Sequence, residues 1–385
     1  MPDLSQWLSE RLAEVDRANL RRSLRVLDSP QQAVVKHQGR ELINFSSNDY
    51  LGLATHAALK HAALAAIEKW GVGSGASRLI SGTQSPHEKL EQELAAFKDT
   101  EAALAFSTGF AAAIGTIPAM VGDGDVVILD KLSHACLVDG ARMSGAVIRV
   151  FPHNHLERLS DHLRWARAKF PNGNILVITE SVFSMDGDRA PLREIVDLKN
   201  QFGAWLMLDE AHSIGVIGGQ GRGAAFDEGV ANQVDLHMGT LGKALGSSGG
   251  YICGSRKLID WLINRARSFI FSTAPSASIA SAASAALNVI QSDEGAVLRR
   301  VLWEHIVRIA PRAESAIVPL LIGDERDATQ EAERIFAAGI WVPAVRFPTV
   351  PKGRARLRIS VSAAHTSTQI DRLNACLASH HSRGC

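Results

Sequence analysis

From about residue 100 to residue 255 the chain alternates short, continuous apolar runs with longer stretches in which apolar positions return every three or four residues. A strand side chain repeats every second position and a helix side chain every 3.6, so a run that is apolar throughout and bounded by turn residues reads as a strand covered on both faces. Seven runs predict strands: AALAF (102–106), VVIL (126–129), VIRVF (147–151), ILVIT (175–179), WLMLD (205–209), VDLHMGT (234–240) and GYICG (250–254). HLERLSDHLRWARAKF (155–170) and PLREIVDLKNQFG (191–203) have helical spacing. Strand and helix in alternation predict an α/β domain with a mostly parallel sheet flanked by helices.

Outside that region, Leu4, Trp7, Leu8, Leu12 and Val15 share one side of an N-terminal helix. A small-residue helix, PSASIASAASAALNVIQ, leaves the α/β region, and helix and strands follow in a C-terminal lobe with QEAERIFAAGIWVPAV, RARLRIS and STQIDRLNACLASH. The expected division is an N-terminal helical segment (1–45), a large domain (46–287) and a small α+β domain (288–385). With 385 residues, the chain exceeds the size at which one hydrophobic core usually suffices.

Charge changes the picture little. Lysine and arginine total 41 against 40 aspartate and glutamate, so no overall basic field favours nucleic acid. Four cysteines, Cys136, Cys253, Cys376 and Cys385, lack zinc or CxxC spacing, which suits a reducing compartment. The acidic residues among the first sixteen argue against a targeting peptide, and no apolar run reaches membrane-spanning length, so the expected location is cytoplasmic.

Candidate chemistry gathers where the strands end, the edge at which open α/β sheets bind ligands. WLMLDEAH ends in Asp209, Glu210 and His212. A buried carboxylate there needs a cation, which a protonated pyridine nitrogen would supply with His212 reaching a ring oxygen; a helix cap or an arginine partner is the plainer reading. The same DEAH letters occur in nucleotide-driven motors. HMGTLGKA, however, has His237 where a phosphate loop needs glycine and Ala244 where it needs a hydroxyl. GSSGG fits a serine-hydrolase elbow at Ser248, yet the strand-like YICG after it opposes the required turn into a helix.

Other groups have weaker signals singly. FSTGF opens a helix whose first N–H groups suit a phosphate. DKLSHACL offers His134 after a strand, and TESVFSMDGD offers Glu180 and Ser184 before a turn. His153 and His155, and the pair His380 and His381, lack carboxylates at ligand spacing and predict no metal. Arg354, Arg356 and Arg358 share one side of a strand, where one could clamp a carboxylate. Lys243 stands among glycines and serines in GTLGKALGSSGG, a clearing that a surface lysine would not need.

Taken in order, NFSSNDYLGL, GSGASRLISGTQSPHEKLE, TESVFSMDGD, LDEAHSIGVIG, GTLGKALGSSGGY and PTVPKGRARLRISVSAAHT resemble the α-oxoamine synthases, pyridoxal-phosphate enzymes of the aspartate-aminotransferase-like fold (fold type I). The resemblance spans nearly the whole chain. It implies that Lys243 is the Schiff-base lysine, that Asp209 pairs with the pyridine nitrogen, and that His134 stacks on the ring. It places Ser184 and His212 beside the phenolic oxygen and Gly109, Phe110 and Thr240 at the phosphate. Ser272 and Thr273, in FSTAP, would reach the phosphate of a neighbouring chain in a homodimer. Catalysis would fall to Lys243, His134 and Asp209, and substrate binding to Arg21, Asn48, His134, Thr349 and Arg358. The implied reaction is the decarboxylative condensation of L-alanine with a pimeloyl thioester, on coenzyme A or acyl carrier protein, in biotin biosynthesis. Glycine C-acetyltransferase and 5-aminolevulinate synthase are the rival activities within the family. Two departures stand out: Phe271 where relatives often have tyrosine, and Ser213-Ile214 where Gly-Thr is expected.

Overall fold

The computed structural model describes residues 3–18 and 20–381. Cys385 lies outside them, as do the side chains of His380 and His381. The helix Leu4–Arg17 forms where the periodicity predicts it, with Leu4, Trp7, Leu8 and Leu12 exposed. The rest of the segment expected to be helical contains β1 (Val34–His37) and β2 (Arg40–Asn44). Gln38 and Gly39 join these strands with φ of 48° and 74°, the positive pair that tight two-residue hairpins require. Val35 and Leu42 are paired in that hairpin and fully buried.

Seven strands make the central sheet: β3 (Ala102–Phe106), β4 (Val126–Asp130), β5 (Val147–Phe151), β6 (Ile175–Glu180), β7 (Trp205–Asp209), β8 (Leu236–Thr240) and β9 (Gly250–Gly254). Their order is β3-β9-β8-β7-β6-β4-β5, parallel except for β9, which runs antiparallel to both neighbours. The alternation of element types predicted this mostly parallel sheet. Val126, Ile128, Val177 and Leu208 feed one apolar core, and Val127, Leu129, Ile178 and Met207 the other. That division explains why the runs have no polar alternation. Because β3, β4, β6, β7 and β8 point the same way, the residues after each emerge along one edge.

The small-residue helix Ala277–Gln291 packs on Ala57–Trp70 and Ser85–Lys98, its alanines permitting close approach. Beyond it lie β10 (Ile317–Gly323), β11 (Ile340–Trp341), β12 (Ala344–Val345) and β13 (Ala355–Ser360). The antiparallel order β10-β13-β12 forms one small sheet, and β11 joins β2 in parallel, with Ile340 opposite Ile43. The N-terminal hairpin thus completes the C-terminal lobe. None of the described helices is long and apolar enough to cross a membrane.

Candidate functional site

Asp209 ends β7 with 5% of its surface exposed. Its Oδ1 accepts the Ala211 N–H at 2.9 Å, and among the described residues it has no ion-pair partner. Burial pushes its pKa up, while the nearby charge of Lys243 pulls it down. Lys243 lies in the turn between β8 and β9, with Nζ 2.7 Å from Nε2 of His212. Burial lowers that amine to about 8, against the opposing pull of Asp209 and Glu180. The surrounding glycines let backbones touch: a Cβ at Gly246 would lie 2.4 Å from the carbonyl carbon of Leu53, and one at Gly250 would lie 2.5 Å from the Gly109 Cα.

His212 is buried and held well below its usual range, first by burial and then by the charges of Lys243, Arg358 and His134. Its Nδ1 meets the hydroxyl of Tyr50 at 2.7 Å. Arg358, on β13, is buried too. Its Nε donates to the Ser184 carbonyl at 2.6 Å, NH1 to Ser360 Oγ at 2.7 Å, and NH1 and NH2 to Asn48 Oδ1 at 3.2 Å each. These bonds draw Asn48, Ser184, His212, Lys243 and Arg358 into one cluster. His134 follows β4 and remains exposed; its N–H donates to Glu180 Oε1 at 2.6 Å, and its Nδ1 lies 3.0 Å from Cys136 Sγ. Burial lowers its pKa, Asp209 raises it and Lys243 lowers it again, so all three groups share one electrostatic environment.

Gly109 and Phe110 begin the helix Gly109–Met120 after β3. Thr108 Oγ1 caps the Ala111 N–H, but the N–H groups of Gly109 and Phe110 have no acceptor among the described residues. A Cβ on Gly109 would lie 3.6 Å from the Cβ of Thr240, whose hydroxyl donates to the Gly249 carbonyl and accepts the Gly242 N–H. This open helix start and its hydroxyl neighbour suit an anion.

The remaining candidates stand apart from this cluster. Thr273 bridges to Ser77, and Ala274 N–H donates to the Ala76 carbonyl; Phe271 beside them is 70% exposed. Arg21 is half exposed, 3.6 Å from Asp16, in a cleft of about 340 Å³ with Arg326, Thr329 and Arg346. Arg346 ties both acyl-chain candidates together, donating to the Arg21 carbonyl and accepting the Thr349 N–H through its own carbonyl. Among the described residues, no hydrogen bond joins Ser272, Thr273, Arg21 or Thr349 to Lys243.

The rival motifs dissolve in the fold. Ser248 is followed by β9 and not by a helix, while residues 237–244 are a strand and turn, not a phosphate loop. Glu210 is fully buried by Lys98 at 2.6 Å and His237 at 3.0 Å, partners that hold its carboxyl down to about 2 despite burial. It pins the Asp209 loop to neighbouring elements. His153 bridges Asp130 at 3.0 Å and Asp188 at 2.7 Å; burial opposes its charge, but these bonds push the imidazole up to about 10. It therefore links the His134 loop to the Ser184 turn, and no cluster among the described residues could hold a metal. Ser213 Oγ lies 2.9 Å from Ser181 Oγ, and Ile214 is buried in the core. The departure from Gly-Thr thus packs without opening the loop.

Sequence reading gave Tyr50 no role, although NDYLG contains it. A buried tyrosine in a turn of otherwise polar residues was the available signal, since its hydroxyl must find a partner. Together the residues present fit pyridoxal phosphate: Asp209 is a buried carboxylate with no ion-pair partner among the described residues, Lys243 an amine lowered toward neutrality, and the helix start at Gly109 suits an anion.

Comparison with known proteins agrees with that chemistry. The family aminotransferase class I and II matches residues 40–377. An 8-amino-7-oxononanoate synthase of Geobacter sulfurreducens is 45% identical over 97% of this chain and 98% of its own. The serine palmitoyltransferase of S. paucimobilis, solved with a bound pyridoxal phosphate–myriocin adduct, superposes with a TM-score of 0.92 at 29% identity, covering 98% of each chain. An 8-amino-7-oxononanoate synthase structure from Francisella tularensis gives 0.75 at 27% identity over 89% of this chain and 98% of that one. The chain belongs to the 8-amino-7-oxononanoate synthase family, within aminotransferase class I and II.

Proposed function

We propose that this protein is a pyridoxal-phosphate-dependent acyltransferase that condenses L-alanine with a pimeloyl thioester, releasing carbon dioxide and the free thiol carrier to give 8-amino-7-oxononanoate. The observation that carries the reading is the convergence of Lys243, Asp209, His212 and the Arg358–Asn48 pair, in a chain whose relatives have that activity along their full length. Pyridoxal phosphate, when bound, supplies the electron sink that stabilises a carbanion at the amino-acid Cα.

The chain's own residues do the rest. Asp209 would balance a protonated pyridine nitrogen, Lys243 would hold the cofactor, and His212 and Ser184 would meet its phenolic side. Gly109, Phe110 and Thr240 hold the phosphate. Arg358 and Asn48 would hold the alanine carboxylate, which would leave the Cα hydrogen for Lys243. Its Nζ, lowered to about 8, takes that proton without a large cost in deprotonating itself first. His134 would face the bound cofactor and could return a proton later in the reaction. Arg21 and Thr349, joined through Arg346, receive the acyl chain and its distal carboxylate.

A substrate panel tests this assignment. With alanine, glycine and serine crossed against acetyl, succinyl and pimeloyl thioesters, alanine with pimeloyl should lead in kcat/KM. A charge-assisted bond to the distal carboxylate predicts an advantage of about tenfold to a hundredfold over acetyl. Greater efficiency with glycine and acetyl coenzyme A would replace this activity by that of a glycine C-acetyltransferase.

The functional unit is a homodimer in which Ser272 and Thr273 of one chain reach the phosphate bound by the other. Support comes from the lack of any hydrogen bond from either to Lys243 among the described residues and from the exposed Phe271 beside them. Mixing inactive Lys243→Ala chains with inactive chains altered at both Ser272 and Thr273 should restore activity, because a mixed dimer regains one intact site. Absence of recovery after demonstrated subunit exchange would assign each site to a single chain.

A further inference from the structure

Tyr50 has no part in the roles above, yet it occupies the centre of the cluster. Its ring is fully buried. Its hydroxyl lies 2.7 Å from His212 Nδ1 and 3.1 Å from Asn48 Oδ1. On one side, His212 Nε2 is 2.7 Å from Lys243 Nζ; on the other, Asn48 Oδ1 receives N–H groups from both terminal nitrogens of Arg358 at 3.2 Å. An unbroken line of polar atoms therefore runs from the lysine amine to the guanidinium through His212, Tyr50 and Asn48.

Proton counting gives this line a direction. A tyrosine hydroxyl has one proton, which it donates to Asn48 Oδ1 at 3.1 Å beside the two N–H groups of Arg358, and a lysine ammonium has donors only. The imidazole's proton accordingly sits on Nδ1 and is donated to the Tyr50 oxygen, leaving Nε2 to accept from the Lys243 ammonium. The ring is neutral, because burial and the neighbouring charges of Lys243, Arg358 and His134 all oppose its protonation. Asp209 and Glu180 act on Lys243 from the sheet side, and among the described residues no side chain other than Tyr50 bonds His212 Nδ1.

We propose that Tyr50 is a positioning residue that couples occupancy of the Arg358 carboxylate clamp to the proton that Lys243 Nζ shares with His212 Nε2. A carboxylate that takes the terminal N–H groups of Arg358 frees a lone pair on Asn48. The Tyr50 proton then bonds Asn48 more strongly, the Tyr50 oxygen accepts more strongly from His212 Nδ1–H, and Nε2 becomes a stronger acceptor for the proton of Lys243. Arrival of the amino acid is in this way signalled to the group that faces the reacting end of the cofactor. The inference rests on the cofactor assignment above.

The test uses the holoenzyme and propionate, a carboxylate with the carbon skeleton of alanine but no amine to react. The visible spectrum of the bound cofactor is titrated against pH with and without saturating propionate, in the parent and in Tyr50→Phe. In the parent, propionate should move the midpoint by about half a pH unit or more, roughly a threefold change in the protonation constant. Neutralising Arg358 also acts directly through space, and that part survives in Tyr50→Phe; the shift should nevertheless fall to about a third or less of the parent's, and the midpoint without propionate should move as well. Asn48→Ala, which cuts the line one step farther out, should also lose most of the response. Equal propionate shifts in parent and Tyr50→Phe would overturn the coupling while leaving the cofactor assignment intact. A parent protein that acquires no visible cofactor spectrum would overturn both.

Discussion

Asp209→Asn is expected to leave a folded protein that retains cofactor but turns over on the order of a thousandfold more slowly, the scale on which losing one well-placed electrostatic partner acts in a water-poor site. The carboxylate is buried, bonded among the described residues only to the Ala211 N–H, and raised by that burial. In isolation such a group is unfavourable, and a pyridinium proton is the cation that makes its position intelligible. Asparagine preserves the Ala211 bond through its amide oxygen but carries no charge, so the ring nitrogen loses its reason to stay protonated. Circular dichroism and a cofactor spectrum would establish fold and loading, and kcat with alanine and a pimeloyl thioester would measure the loss. Turnover within tenfold of the parent would return Asp209 to the role of a simple turn cap, which its bond to Ala211 already satisfies.

That carboxylate was visible in the sequence because a continuous apolar run pointed to it. The same logic located all seven strands of the large sheet, since residues such as Val126, Val127, Ile128 and Leu129 feed cores on both faces and leave no polar interruption. Strand order was not encoded locally: the insertion of β9 between β3 and β8 depends on pairings such as Leu104 with Ile252, almost 150 positions apart. The hairpin of β1 and β2 escaped notice for a related reason. Its short strands, VVKH and RELIN, reveal themselves through Gln38 and Gly39 at the turn and through β11, which reaches them from position 340. In the site, Lys243 and Asp209 carried strong local signals, whereas the bridges that orient them join distant segments. Lys98 with Glu210, His153 with Asp188, and Tyr50 with His212 each required the fold before the partner was known.

Replacing Lys243 should have the largest effect of any single change, because one nitrogen is asked both to hold the cofactor and to move the Cα proton. Lys243→Ala is expected to lower kcat by on the order of ten thousandfold, the upper range for removal of a positioned acid–base group. Loss of charge beside Asp209 and Glu180 complicates that variant, so Lys243→Arg is the sharper comparison. Arginine keeps the positive charge, yet its guanidinium stays protonated at every working pH and can neither accept the proton nor be captured by an aldehyde. Both variants should be equally inactive, and millimolar methylamine should recover part of the Lys243→Ala rate without helping Lys243→Arg, whose side chain fills the space. The parent makes a related prediction through pH. With its amine lowered to about 8, the neutral fraction of Lys243 rises as pH rises through that value, so cofactor capture by the apoprotein should quicken about tenfold between pH 7 and pH 9 and then level off. Stopped-flow absorbance after mixing with pyridoxal phosphate measures that rate. An active Lys243→Arg enzyme, or capture that slows across the same interval, would show that the amine serves as a fixed charge for Asp209 and that the reacting nitrogen lies elsewhere.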